Sequence, residues 1–156
     1  MGAVAELVHA TCVALDGRGV LIRGPSGSGK SDLALRCLAR SPNALIDHAA
    51  ALVADDQVAI ANEAGHLVAR APLALRGKLE VRGHGILTLS AAESAEIVLI
   101  AELIPAAQVL ERLPDPILTD RLCGLDIPVL RLHPFEASAA LKLLLALATC
   151  YGHNNG

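Results

Sequence analysis

Eight consecutive residues near the start of the sequence have the types and spacing of a phosphate-binding loop. Their sequence, Gly24-Pro25-Ser26-Gly27-Ser28-Gly29-Lys30-Ser31, matches the pattern G-x-x-x-x-G-K-[ST] at every position. Glycines let backbone amides turn inward around an anion, a following helix points its positive end at the phosphates, and the lysine adds a point charge. The Ser31 hydroxyl is suited to ligate Mg²⁺. The loop therefore predicts binding of a nucleoside triphosphate, or of a related phosphate donor, and transfer of a phosphoryl group.

Two adjacent carboxylates could complete such a site. Asp55 and Asp56 directly follow the apolar run Ala51-Leu52-Val53-Ala54, at the end of a predicted strand. Phosphoryl transfer at a loop of this kind needs an acid for Mg²⁺ or its water, and a group that orients the nucleophile. Because neighbouring residues of a strand point to opposite faces, we expect only one of the two to face the phosphates. The alternative is a pair of solvated aspartates in a turn.

Three further polar residues stand out by their surroundings. Glu80 lies in an otherwise apolar run, where a carboxylate requires a cation or an arginine; otherwise it forms a salt bridge or faces solvent. His9 lies in the apolar first strand and, read alone, is a hydrogen-bonded core histidine. Arg121, read alone, is a surface arginine.

The elements that must position these residues are mostly strands. A helix is predicted over Ser31–Ala39, directly after the loop, and a long Ala- and Leu-rich helix over Phe135–Tyr151. The last four residues, 153–156, are expected to be frayed. The predicted strands are Val4–Leu15, Val20–Arg23 (paired with the first), Ala50–Ala54, Gln57–Ala61 and His66–Arg70 (a hairpin), Leu79–Val81, Ile86–Leu89, Glu96–Leu103 and Ile127–Leu132. This pattern indicates an α/β or α+β sheet protein rather than a repeating βαβ fold.

Length and composition narrow the class of protein further. A chain of 156 residues has the size of one domain, and its two aromatic residues, Phe135 and Tyr151, leave an aliphatic core. The net charge of −3 argues against a nucleic-acid-binding surface. The most apolar stretches, 97–104 and 143–151, are shorter than the roughly 18–20 residues of a membrane span, and no secretory signal is apparent, so we expect a cytoplasmic protein. No CxxC spacing occurs, so we expect reduced, buried cysteines at Cys12, Cys37, Cys123 and Cys150.

Four blocks and one arginine together resemble a known family. They are His9, the loop continuing through Asp32-Leu33-Ala34-Leu35, the block Leu52-Val53-Ala54-Asp55-Asp56-Gln57-Val58, the block Leu79-Glu80-Val81-Arg82-Gly83-His84-Gly85-Ile86, and Arg121 within Asp120-Arg121-Leu122. The fourth block is close to LEIRG-x-GI, a signature of that family. From about Val8 to Tyr151, the chain resembles the C-terminal catalytic domain of bacterial HPr kinase/phosphorylase. This signature is far more specific than a phosphate-binding loop alone.

The resemblance implies a fold and an activity. The fold is a P-loop kinase domain, mainly β sheet with few helices, similar to the nucleotide-binding core of phosphoenolpyruvate carboxykinase. The activity is ATP- and Mg²⁺-dependent phosphorylation of a serine of HPr, the small phosphocarrier of the phosphotransferase system. In the family the same site also runs backward, with phosphate attacking phosphoserine.

The resemblance also implies residue roles. Asp56 accepts the proton of the substrate serine, and His9 lies near that aspartate and the transferred phosphate. Lys30 binds the β- and γ-phosphates within the loop Gly24–Ser31. Ser31 and Glu80 hold Mg²⁺. Arg121 stabilises the transferring charge.

The domain organisation, the oligomeric state and the competing functions are also predicted at this point. Residues 1–156 are interpreted as one catalytic domain, the short single-domain form found in α-proteobacteria, without the N-terminal domain of full-length members. By the same resemblance the protein is a homo-oligomer, a hexamer, with HPr as partner and with neither nucleic acid nor membrane. The segment 128–134 departs from the family's late PxRPGRN-type segment, which leaves the reverse reaction open. The competing functions are a regulatory nucleotide-binding module with little catalysis and a small-molecule kinase.

Overall fold

The computed structural model describes residues 4–152 and confirms a mainly β architecture with two helices. Its described strands form one nine-stranded sheet and a separate two-stranded hairpin. The elements are β1 (Glu6–His9), β2 (Thr11–Leu15), β3 (Arg18–Arg23), α1 (Lys30–Ala39), β4 (Ala50–Ala54), β5 (Gln57–Glu63), β6 (His66–Arg70), β7 (Lys78–Val81), β8 (Gly85–Thr88), β9 (Ala95–Leu103), β10 (Leu118–Leu122), β11 (Leu125–Leu132) and α2 (Ala139–Ala148).

Three parallel strands at the centre of the sheet determine where the loops meet. The strand order is β1-β5-β6-β9-β3-β2-β4, and β11, which carries β10 on its outer edge, also pairs with β9. β3 and β11 both run parallel to β9, and the other pairs are antiparallel. The phosphate-binding loop follows β3, and the segment leading to α2 follows β11, so both emerge at the same edge. Ligands of α/β sheets bind outside the carboxyl ends of parallel strands.

The two ends of this sheet curl towards each other. β1 and β4 lie at opposite ends of the strand order, yet β1 leads through Ala10 into β2, and β4 leads through Asp55 and Asp56 into β5. The Ala10 amide donates to the Asp56 carbonyl across this junction (3.2 Å). The single strand predicted over Val4–Leu15 is therefore wrong: it is divided at Ala10, because its two halves pair with different neighbours.

Apolar layers cover both faces of the central strands. In β2, Val13 and Leu15 point to the layer that holds both helices, whereas Cys12 and Ala14 point to the opposite layer. All five residues of β2 are buried, which explains its continuous apolar sequence. The helices contact each other as well as the sheet. This packing fixes the start of α1 beneath the phosphate-binding loop.

The structure corrects three predictions away from the loop. The strand β10 was missed: it pairs with β11 through a tight turn at Cys123 and Gly124, both with positive φ (49° and 79°). Helix α2 begins at Ala139 rather than Phe135, because a turn after Pro134 precedes it, and it ends at Ala148. Cys12 and Cys37 are buried free thiols, but Cys123 and Cys150 are only half-buried.

The expected fraying of residues 153–156 lies outside the described residues. Within residues 4–152, no helix is both long enough and apolar enough to cross a membrane.

Candidate active site

The phosphate-binding loop has the backbone geometry that its glycines predict. Gly29 lies in the left-handed region (φ 100°) immediately before α1, and no side chain caps that helix. Because the first amides of a helix have no intrahelical acceptor, the positive end of α1 is left open to an anion. At Gly24, a Cβ atom would lie 2.5 Å from Ser28 Oγ. A side chain at position 24 would therefore require Ser28 to shift within the loop.

Lys30 is held inside the loop. Lys30 is only 7% exposed, and its Nζ donates hydrogen bonds to the carbonyl oxygens of Gly24 (2.7 Å) and Pro25 (3.1 Å). No carboxylate among residues 4–152 forms a salt bridge with it. A buried ammonium without a counter-ion destabilises a fold, so this charge is positioned for an anionic ligand.

Asp55 connects three elements beneath the loop. Its Oδ1 accepts hydrogen bonds from Thr11 Oγ1 and Ser31 Oγ, each at 2.8 Å, and its Oδ2 accepts from the Glu80 amide at 3.2 Å. The residue is 7% exposed, and Thr11 is fully buried. These bonds orient the Ser31 hydroxyl and join β2, α1 and β7 at one carboxylate.

Asp56 is the exposed member of the pair and Asp55 the buried one, so only one of the two aspartates lines the cavity that contains the loop, as alternation predicted. β4 ends at Ala54, and Asp56 occupies a tight turn with φ 69° in which the Gln57 amide donates to the Asp55 carbonyl (2.8 Å). This turn, rather than an extended strand, directs the Asp56 carboxylate towards His9. His9 Nε2 and Asp56 Oδ1 are 2.9 Å apart, with side chains 53% and 69% exposed. An ionised Asp56 accepts this bond and His9 donates it.

One open cavity of about 520 Å³ contains the loop and this pair. Of the residues singled out from the sequence, it brings together His9, Ser26, Gly27, Gly29, Lys30, Ser31, Asp56 and Glu80. Gly24, Pro25 and Ser28 complete the loop without lining the cavity. Residues from β1, the β4–β5 turn, α1 and β7 thus converge on a single site.

Arg121 is the one predicted catalytic residue that does not line this cavity. It lies exposed on β10, with its guanidinium 3.1 Å from Asp126 Oδ1 on β11. Its neighbour Asp120 accepts a hydrogen bond from Arg23 (2.6 Å), the residue that leads into the loop. The Arg23 guanidinium, together with the Arg121 amide, holds the pKa of Asp120 below its usual range. β10 therefore supports the entry to the loop, and a catalytic role for Arg121 stays a prediction.

The cavity also contains residues that the sequence reasoning had not assigned. Arg82 lines it, and no hydrogen bond or salt bridge joins its guanidinium to another residue of the described chain. Arg82 belongs to the Leu79–Ile86 block that resembles the family signature, and this position in the block could have identified it as a site residue. Phe135, the one phenylalanine of the sequence, lines the cavity as well. The others are Thr11, Asp32, Leu35 and Val81.

The donor set fits a triphosphate carrying Mg²⁺. Open helix amides and the Lys30 ammonium suit phosphate oxygens, and the buried Ser28 Oγ has no hydrogen-bond partner within the described chain. The Ser31 hydroxyl and the Glu80 carboxylate are oxygen ligands of the kind that Mg²⁺ prefers. In residues 4–152, no group of three or more His, Cys, Asp or Glu could hold a metal alone. Mg²⁺ beside phosphates needs only one or two carboxylates, because phosphate oxygens and waters complete its shell.

The loop, the aspartate beneath it and the sheet around them define a P-loop domain of mainly β type. The chain belongs to the family of the HPr Serine kinase C-terminal domain, whose model matches residues 2–150.

Curated relatives agree with this assignment, and a solved structure shares the fold. The chain is 34% identical over 133 residues to the HPr kinase/phosphorylase of Malacoplasma penetrans, covering 79% of this chain and 42% of the relative. It is 37% identical over 130 residues to that of Bordetella pertussis, covering 77% and 40%. The chain thus aligns with about two fifths of these relatives' length. The Hpr(Ser) kinase/phosphatase structure from Coxiella burnetii matches its fold with a TM-score of 0.77 and 23% identity, over 92% of this chain and 95% of that chain.

Proposed function

We propose that this chain is the catalytic domain of an ATP- and Mg²⁺-dependent serine kinase that phosphorylates the phosphocarrier HPr. The observation that carries the proposal is the His9–Asp56 pair, at 2.9 Å, in the same cavity as the phosphate-binding loop. A loop that only binds a nucleotide does not require an exposed carboxylate oriented by a histidine. The family match and the names of the relatives support HPr as the acceptor.

In the proposed reaction, the substrate serine oxygen attacks the γ-phosphorus of ATP. The bond between this phosphorus and the β,γ-bridging oxygen breaks, and ADP leaves. Asp56 accepts the proton of the serine hydroxyl, and His9 keeps the accepting carboxylate oriented through its Nε2 hydrogen bond. Lys30 and the loop amides neutralise the β- and γ-phosphates, which matters because charge spreads over these oxygens during transfer.

Ser31 and Glu80 are the residues that would hold Mg²⁺, with Asp55 orienting the Ser31 hydroxyl from below. When bound, the ion supplies charge neutralisation at the phosphates. The hydrogen bond from the Glu80 amide to Asp55 keeps β7 close to the loop.

Two arginines compete for the role of stabilising the transferring charge. The family resemblance implies Arg121, whereas Arg82 has the free guanidinium at the cavity. We favour Arg82 and expect Arg82→Gln to lower kcat by about 10²–10³-fold, as loss of one preorganised donor does. Arg121→Gln, which removes a guanidinium paired with Asp126, should have a much smaller effect. Steady-state kinetics of both variants decide between them: a larger loss in Arg121→Gln would assign the role to Arg121.

Transfer of labelled phosphate from ATP to purified HPr tests the function. With Mg²⁺ present, label should appear on HPr and be absent from an HPr variant whose target serine is alanine. ATP binding without transfer to any HPr paralogue would contradict the kinase and support a regulatory module. Preferential phosphorylation of a metabolite would support a small-molecule kinase.

We also propose a cytoplasmic homo-oligomer, with a hexamer as the form that the family resemblance implies. Exposed apolar residues on several elements, among them Leu7, Leu73 and Ile86, are compatible with subunit contacts. A light-scattering mass equal to one chain would exclude this assembly.

A further inference from the structure

Phe135 presents an aromatic ring to the cavity that the proposed chemistry does not use. It is the one phenylalanine of the sequence, follows β11, and is 70% exposed. A single exposed apolar residue needs no explanation by itself. This ring, however, lines the cavity that contains the phosphate-binding loop.

The ring is packed against the loop itself. A Cβ atom on Gly29 would lie 3.0 Å from both Cε1 and Cζ of Phe135, so the ring rests on the Gly29 backbone. Gly29 directly precedes Lys30, the residue that holds the phosphates in the proposed reaction. The aromatic ring is therefore adjacent to the place where a triphosphate chain would bind.

The backbone on both sides of Phe135 is tied down. Arg36 on α1 donates to the carbonyl oxygens of Pro134 and Glu136, the two neighbours of Phe135. The Glu136 carboxylate accepts from Lys142 Nζ (2.6 Å), and His133 Nδ1 lies 3.3 Å from it. Lys142 and His133 hold the pKa of Glu136 below its usual range. The ring is thus held in place while much of its surface remains open.

The distribution of residues around the loop indicates what this ring would contact. The reacting groups come from β1, the β4–β5 turn and β7, whereas Phe135 follows β11 and lies over Gly29. Leu35, one helical turn beyond Ser31 on α1, also lines the cavity and adds a second apolar side chain. A triphosphate whose γ end faces Asp56 has its nucleoside at the other end of the phosphate chain.

We propose that Phe135 is the platform on which the base of the nucleotide stacks, with Leu35 beside it. The inference rests on the proposed nucleotide-dependent transfer and adds to it a nucleoside subsite. Stacking on an aromatic face requires no particular base edge, so ATP and GTP should bind with similar affinity.

Tryptophan at position 135 gives a direct readout of stacking, because the natural sequence contains no tryptophan. In Phe135→Trp, ATP should quench or shift the indole fluorescence, whereas tripolyphosphate, which has no nucleoside, should leave it unchanged. Unchanged emission at ATP concentrations that saturate the protein by calorimetry would overturn the inference.

Alanine at the same position distinguishes the contribution of the nucleoside to binding affinity from that of the phosphates. Phe135→Ala should weaken ATP binding by about tenfold and leave tripolyphosphate binding unchanged. Phe135→Tyr should bind ATP as the wild type does, and Leu73→Ala, which removes a still more exposed apolar side chain outside the cavity, should change neither affinity.

The outcomes distinguish this inference from the proposed function. Equal changes for ATP and tripolyphosphate, or a higher KM for HPr with unchanged ATP binding, would overturn the platform while leaving the kinase intact. A wild-type protein that binds neither ligand would overturn both.

Discussion

Asp56→Asn should lower phosphoryl transfer to HPr by about a thousandfold while nucleotide affinity stays within about threefold of wild type. Asparagine has nearly the same shape but cannot accept the serine proton. It also tolerates positive φ, so the turn at φ 69° should persist. Single-turnover transfer measures the chemical step, and calorimetry with ATP measures binding.

The chain offers a matched control for this change. Asp16 also has positive φ (52°) and a nearby histidine, His48 at 3.8 Å, but lies in the β2–β3 turn and does not line the cavity. Asp16→Asn should transfer phosphate at the wild-type rate. If Asp56→Asn were fully active, Asp56 would not be the base.

Lys30→Met should weaken ATP binding by about a hundredfold, because it removes a charged hydrogen-bond donor to the phosphates. The same variant should unfold at an equal or higher temperature than the wild type when no nucleotide is present. Within the described residues the buried ammonium bonds only to two carbonyl oxygens, and methionine fills a similar volume without the desolvation penalty. Thermal unfolding with and without ATP measures both effects.

Lys78→Met is the control for Lys30→Met. Lys78 is exposed on β7, and its Nζ contacts Thr88 Oγ1 at 3.3 Å. Its replacement should leave both ATP-induced stabilisation and the unfolding temperature of the free protein unchanged. A clearly lower unfolding temperature for free Lys30→Met would show instead that the ammonium stabilises the fold.

The parts of the site that could be predicted from the sequence are those encoded locally. The loop Gly24–Ser31 and the helix behind it depend on consecutive residues, and the resemblance in the Leu52–Val58 and Leu79–Ile86 blocks identified the family. Strands with their own turn signals, such as the β5–β6 hairpin, were also predicted correctly.

What could not be predicted depends on pairing between distant segments. The division of the first strand at Ala10 follows from the curling of the sheet, which no local pattern encodes. The tight turn at Asp56 directs its carboxylate to His9, which is 47 residues away in the sequence. Likewise, Arg82 lines the cavity and Arg121 does not because β7 lies against the loop and β10 at the sheet edge.

The hydrogen bonds of Asp55 have an evolutionary consequence. This carboxylate satisfies the buried Thr11 hydroxyl and at the same time orients Ser31, so its loss would leave a buried donor unpaired as well as disabling the loop. His9 and Asp56, by contrast, are exposed and bear little of the packing. Mutational drift can therefore silence catalysis without unfolding the protein at His9 and Asp56, but not at Asp55. A descendant that has become a pure nucleotide sensor should keep Asp55 and Thr11 and vary at His9 and Asp56.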